Sequence, residues 1–161
     1  MPEKKIVTPD ADVRGHAAAA RLRKRKAAEA MGIDTAFISE MVENFYARIR
    51  GDALLGPIFA RHIDDWPPHL ARMKSFWASV LHNSGGFSGN PMVKHIAIDG
   101  LDHAHFVHWL DLFHQTLEGM DASSKAVEHI HERARMIANS LMNGVAIHRD
   151  GLSGARNMEA F

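Results

Sequence analysis

From Asp34 to His148 the apolar residues of this chain recur at spacings of three and four, and nowhere do they alternate. That period belongs to the α-helix, where side chains at i, i+3 and i+4 share a face. Phe37, Ile38, Met41, Val42, Phe45 and Ile49 form one such stripe, and Phe106, Trp109, Leu110, Phe113 and Leu117 form another. The fold class expected is therefore all-α. At 161 residues the chain is long enough to bury a core as one domain.

Capping residues and breakers place the helices. Asp34 is expected to cap a helix to about Arg50, Asp65 one to about His82, Asp102 one through Leu117, and Asp121 one to about His148. Pro67 suits a first helical turn, where a missing N–H costs nothing. Gly56 and Pro57 break the chain before a short turn at Ile58, Phe59 and Ala60. The Gly/Pro-rich segment 85–91 reads as a loop, and 92–98 as a turn or two.

Composition closes several kinds of chemistry. There is no cysteine, which excludes disulfides, iron–sulfur clusters and thiolate zinc sites. Twelve histidines leave imidazole as the main metal ligand. Formal net charge is zero, so no polyanionic partner is implied. No apolar run approaches the roughly 20 residues of a membrane span, and no secretory segment opens the chain, so a soluble cytoplasmic protein is expected. Charge is uneven, however. Residues 1–30 carry a net +4 and the rest a net −4. Residues 1–30 are expected to be a basic extension, loose through about Val13 and helical over 16–30, that folds back on the acidic body. The body is expected over 31–150, with a frayed tail over 151–161.

One histidine, His95, follows the loop and lies between helical patterns that carry the three tryptophans and the single tyrosine. This suits one axial ligand to a flat apolar cofactor better than a metal held by several side chains. On the helix from Pro67, one face reads His69, Met73, Phe76 and Val80, and its neighbour reads Trp66, Leu70, Trp77 and Leu81. Three polar tips thus project from apolar faces: the Tyr46 phenol, the His69 imidazole and the Trp109 indole N–H. Taken singly, each is a packing residue with a satisfied tip. The joint pattern says more.

The run Asn44-Phe45-Tyr46-Ala47-Arg48-Ile49-Arg50, followed by Leu55-Gly56-Pro57-Ile58-Phe59, resembles the second helix and following corner of truncated haemoglobins. The likeness continues through Trp66, His69-Leu70, Phe76-Trp77, Gly89-Asn90-Pro91, Lys94-His95 and the segment from His105 to Phe113. As an ordered set over about residues 30–148, it is similar to the third, bacterial group of that family. The resemblance implies a shortened globin fold, a two-over-two helical sandwich around haem b, with an extra N-terminal helical segment. It implies His95 as the proximal ligand to iron. Tyr46, His69 and Trp109 match the distal pocket, Phe59 the aromatic residue against the porphyrin, and Met73 an apolar distal position. Phe76 and Trp77 fall in the same cofactor-binding set.

By this resemblance the chain binds dioxygen and other diatomic gases, nitric oxide and carbon monoxide among them. The chemistry fits. Tyrosine donates at neutral pH and indole only donates. In a dry pocket each bond to a polarised gas is worth roughly 1–2 kcal/mol, or five- to thirtyfold in off-rate. Slow release serves reaction better than transport. Oxygen-dependent detoxification of nitric oxide, fed by an unidentified reductase, is one expectation, and peroxidase-like redox chemistry is another. His69 can donate, gate or ligate. Some relatives carry a tyrosine where this chain has Phe87, which cannot hydrogen-bond a propionate.

Two other readings compete. Glu128-His129-Ile130-His131 contains one Glu-x-x-His, as helical-bundle di-iron or zinc sites require, but such sites need two. Asp102-His103-Ala104-His105 is the nearest second candidate. His105 and His108, one turn apart, could also take adventitious zinc. The second competitor is a partner- or nucleic-acid-binding module that uses the basic arm.

Overall fold

The computed structural model of the chain describes residues 9–150, with side chains from Val13 onward. Among these residues every regular element is a helix: α1 (Pro9–Ala30), α2 (Thr35–Gly51), α3 (Gly56–His62), α4 (Trp66–Leu81), α5 (Pro91–Ile96), α6 (His103–Glu118) and α7 (Ser124–Asp150). Two layers form. α2 packs on α4, α6 packs most extensively on α7, and α2 joins the layers through α6. α5 lies on α7, α3 on α2, and α1 touches α4 only slightly. This is the two-over-two arrangement expected. The outer ends of the expected extension and tail, residues 1–8 and 151–161, lie outside the described residues.

Local chemistry fixes the ends. Asp34 caps α2 by accepting from the Phe37 N–H at 2.8 Å. Just past the end of α1 stands Gly32, whose φ of +86° suits glycine. There the Ile33 N–H reaches Ala28 O at 2.9 Å and the Gly32 N–H reaches Glu29 O at 2.9 Å. Asp102 and His105 cap α6 reciprocally, backbone N–H to carboxylate at 3.4 Å and ring to backbone N–H at 3.2 Å. That pairing commits Asp102 and His105 to the helix end, so Asp102-His103-Ala104-His105 is not a second metal motif.

Four expectations need correction. α1 begins at Pro9 rather than near His16, because proline needs no N–H partner at a helix start. Gly56 and Pro57 open α3 instead of only breaking the chain. A Cβ at Gly56 would stand 3.1 Å from the Ile49 and Arg50 carbonyl oxygens, so glycine lets α3 start against the end of α2. Asp65 sits before α4 but makes no side-chain cap. α7 is capped by Ser123, whose Oγ accepts from the Ala126 N–H at 3.1 Å, and not by Asp121.

The core is aromatic at its centre. Phe113 is fully buried. The Trp77 and Trp109 indoles stack on it at 5.0 and 5.4 Å, and Phe45 meets it edge-on at 5.1 Å. Three helices thus meet at one ring. His82, also buried, uses its Nε2–H to bond Ile33 O at 2.6 Å and ties the end of α4 to the start of α2. Phe113→Ala should cost about 3–5 kcal/mol, as other buried Phe truncations do. A urea or thermal unfolding midpoint checks this.

Candidate functional site

α5 is short, and its first residues prepare its histidine. Asn90 Oδ1 accepts from the Val93 N–H at 3.3 Å, and Pro91 occupies the first turn. One turn on, His95 Nδ1 lies 2.6 Å from Pro91 O. A carbonyl only accepts, so Nδ1 carries the proton. The neutral ring then keeps its lone pair on Nε2. Burial lowers the His95 pKa from the ordinary imidazole value, with the Pro91 bond opposing. The ring is therefore neutral at neutral pH with one nitrogen ready to ligate. Behind it, the Met92 side chain fills a notch at Gly144 of α7, where a Cβ would overlap the Met92 sulfur.

A second cluster gathers on α2, α3 and α4. The buried Tyr46 ring meets His69 edge-on at 5.1 Å, Phe59 at 5.8 Å and Trp66 at 5.9 Å. Burial pushes the phenol pKa up, so Tyr46 stays a donor. His69 Nε2 is buried without a hydrogen-bond partner among the described residues. Burial, then the charges of Arg72 and Lys94, bring its pKa down to about 4. Trp66 lies edge-on to His69 at 5.6 Å and under the Arg50 guanidinium at 4.6 Å. Trp109 stands on α6 beside Phe45, at 5.4 Å. Among the described residues the Tyr46 hydroxyl and Trp109 N–H bond to nothing.

The structure thus brings Tyr46, His69 and Phe59 into one cluster, and Phe45 links them to Trp109. Met73 and Phe76 lie half-buried on α4 and pack on the core. Trp77 sits deeper, at 3% exposure, stacked on Phe113. Phe87, unable to donate, packs on Phe76 at 5.2 Å. Sequence reasoning gave no role to Arg72 or Lys94. Both act on His69, and neither has an ion pair among the described residues. Their signal was present: Arg72 follows His69 by three, and Lys94 precedes His95 directly.

A haem needs one nitrogen ligand, apolar walls, donors on the open side and cations for its carboxylates. His95 Nε2, the half-buried wall of α4, the unspent tips of Tyr46, His69 and Trp109, and the unpaired Arg72 and Lys94 fit each need.

Comparison with known proteins agrees. Residues 27–143 match the family model for bacterial-like globins. The chain belongs to that family. It is 34% identical over 110 residues to the group 3 truncated haemoglobin of Campylobacter jejuni, spanning 66% of this chain and 86% of the relative. It superposes on the crystal structure of the group III truncated haemoglobin from Campylobacter jejuni with a TM-score of 0.66 and 32% identity, covering 70% of this chain and 91% of that one. The globin is thus a third-group truncated haemoglobin, and the family carries haem-based gas binding.

The neutral histidines of this globin predict acid sensitivity. His69 protonates near 6.5 when unfolded and at about 4 when folded. Between those values the unfolded chain holds more protons. Stability from this group is full above 6.5, falls as pH drops toward 4, and levels off below. His95 shifts in the same direction. Urea midpoints followed from pH 7 to 4 should fall less steeply in His69→Leu than in the native chain.

Proposed function

We propose that this globin holds haem b on His95 Nε2 and uses it for oxygen-dependent removal of nitric oxide. The observation that carries the reading is the 2.6 Å Nδ1–Pro91 contact. It leaves one nitrogen free on a neutral ring, the arrangement that metal-bound histidines share. Bound there, haem supplies a coordination position at which diatomic gases are held. Tyr46 offers its O–H and Trp109 its N–H to the gas. Phe59, Met73, Phe76 and Trp77 would wall off water, and Arg72 and Lys94 would supply cations for the haem carboxylates.

Two donors slow dioxygen release, which favours reaction over delivery. The overall conversion is NO + O₂ + e⁻ → NO₃⁻, with the electron coming from an unidentified reductase. A second reading, peroxidase-like chemistry, draws support from His69, whose buried, neutral and unpartnered Nε2 can accept a proton from a peroxide.

In His95→Ala the Soret band of the purified protein should shift or vanish and its carbon monoxide complex should change. Added imidazole should restore both. An unaltered spectrum would mean that another residue holds the haem. Tyr46→Phe should speed dioxygen release about five- to thirtyfold by stopped flow. The oxygenated native protein should convert nitric oxide to nitrate faster than free haem does, and equal rates would remove the dioxygenase reading.

A further inference from the structure

The layer formed by α6 and α7 holds a histidine pair with no part in the haem site. The rings of His114 and His131 lie 4.4 Å apart at their centroids, tilted by 50°. His114 Nε2 is 3.0 Å from Glu118 Oε1, while its Nδ1 is buried without a partner among the described residues. A buried nitrogen left unpaired is uncommon in folded proteins, and a bound cation is one partner that would satisfy it. Both rings line a groove of about 590 Å³, whose wall includes Glu118, Glu128 and Arg135. Glu128 and His131 stand three apart on α7, so carboxylate and imidazole share a face. This is the Glu-x-x-His that the haem site leaves unused.

We propose that this groove binds a divalent transition cation of the zinc class. His114 Nδ1 and the His131 ring are its two imidazole ligands, Glu128 is the third, and Glu118 is the outer carboxylate that orients His114. The split use of His114 carries the argument. A histidine that binds metal through one nitrogen commonly gives the other to a carboxylate, which fixes its tautomer and raises its basicity. Imidazole and carboxylate oxygen are ordinary zinc ligands, and water completes a four-coordinate site. Among the described residues no three such donors converge as they stand. The two imidazoles are the preformed half, and Glu128, exposed on the groove wall, closes the site by rotating about its side-chain bonds. Arg135 opposes the cation and is outnumbered by the two carboxylates. A cation there fastens α6 to α7.

The test is calorimetric titration of zinc into the chelator-washed, haem-loaded, full-length protein. The native chain should take one equivalent with a rise in its unfolding temperature. His131→Gln and Glu128→Gln should each weaken binding at least about tenfold, since loss of even an outer-shell partner has that effect. His105→Gln, which breaks the surface pair on α6, should bind as the native chain does. Glu128→Gln changes an exposed side chain, so its loss of zinc does not reflect misfolding, and an unaltered Soret band checks all variants. The proposal is overturned if the native chain takes up no zinc, if both groove variants match it, or if His105→Gln alone loses the ion.

Discussion

The bond from His95 Nδ1–H to the Pro91 carbonyl is the contact on which the proposed haem site depends. It lies within one turn of a six-residue helix, and so short a helix is not stable alone. Neighbours hold it instead. Asn90 caps it, Pro91 starts it without needing a hydrogen bond, and Met92 keys it into α7 at Gly144. The tautomer of one ring is thus set by a cap, a proline and a glycine notch on another helix. Loosening any of these frees the ring to turn, and the same imidazole then has no fixed direction in which to offer its lone pair.

The cluster around Tyr46 is built on the reverse principle. Buried polar groups are normally satisfied, because an unpaired one costs about 1–3 kcal/mol. Here His69 Nε2 is buried without a partner among the described residues. Tyr46 and Trp66 meet the His69 ring edge-on at 5.1 and 5.6 Å and hold it in place. Such conflicts between local satisfaction and overall fold are expected at functional sites.

Much of this was legible in the chain. The helical period placed α2, α4, α6 and α7 to within a few residues, because each has a wide apolar stripe. The failures share a cause. Gly56-Pro57 signals a break in any local reading. It opens a helix here because α3 must approach the carbonyls of Ile49 and Arg50, a tertiary demand with no local trace. Asp65 and Asp121 looked like caps by residue type, yet Asp65 stands at the start of α4 with extended backbone and no side-chain bond, and Asp121 lies three residues before α7. At the site, the faces of Tyr46, His69 and Trp109 followed from spacing. The tie of His82 to Ile33 spans 49 residues and that of His108 to Asp52 spans 56, and no period reports on contacts so distant.

That last tie bears on how precisely Trp109 is placed. Asp52 accepts from the Leu54 and Leu55 N–H groups at 3.1 and 2.9 Å and from the His108 ring at 2.7 Å. Burial alone would raise its pKa, but the bonds from Leu55, His108 and Leu54 outweigh it and hold the carboxyl below its ordinary value. The corner after α2 is thereby fastened to α6 at the residue before Trp109. The capping pair Asp102–His105 fixes the same helix one turn earlier, and Phe113 anchors it one turn later. Held on both sides, the indole has little freedom to shift along or around the helix axis. A donor so constrained needs no reorganisation when a ligand arrives, which is the condition under which a single hydrogen bond contributes most. The precision with which the Trp109 N–H is placed is therefore a property of α6 as a whole, carried by half-buried histidines.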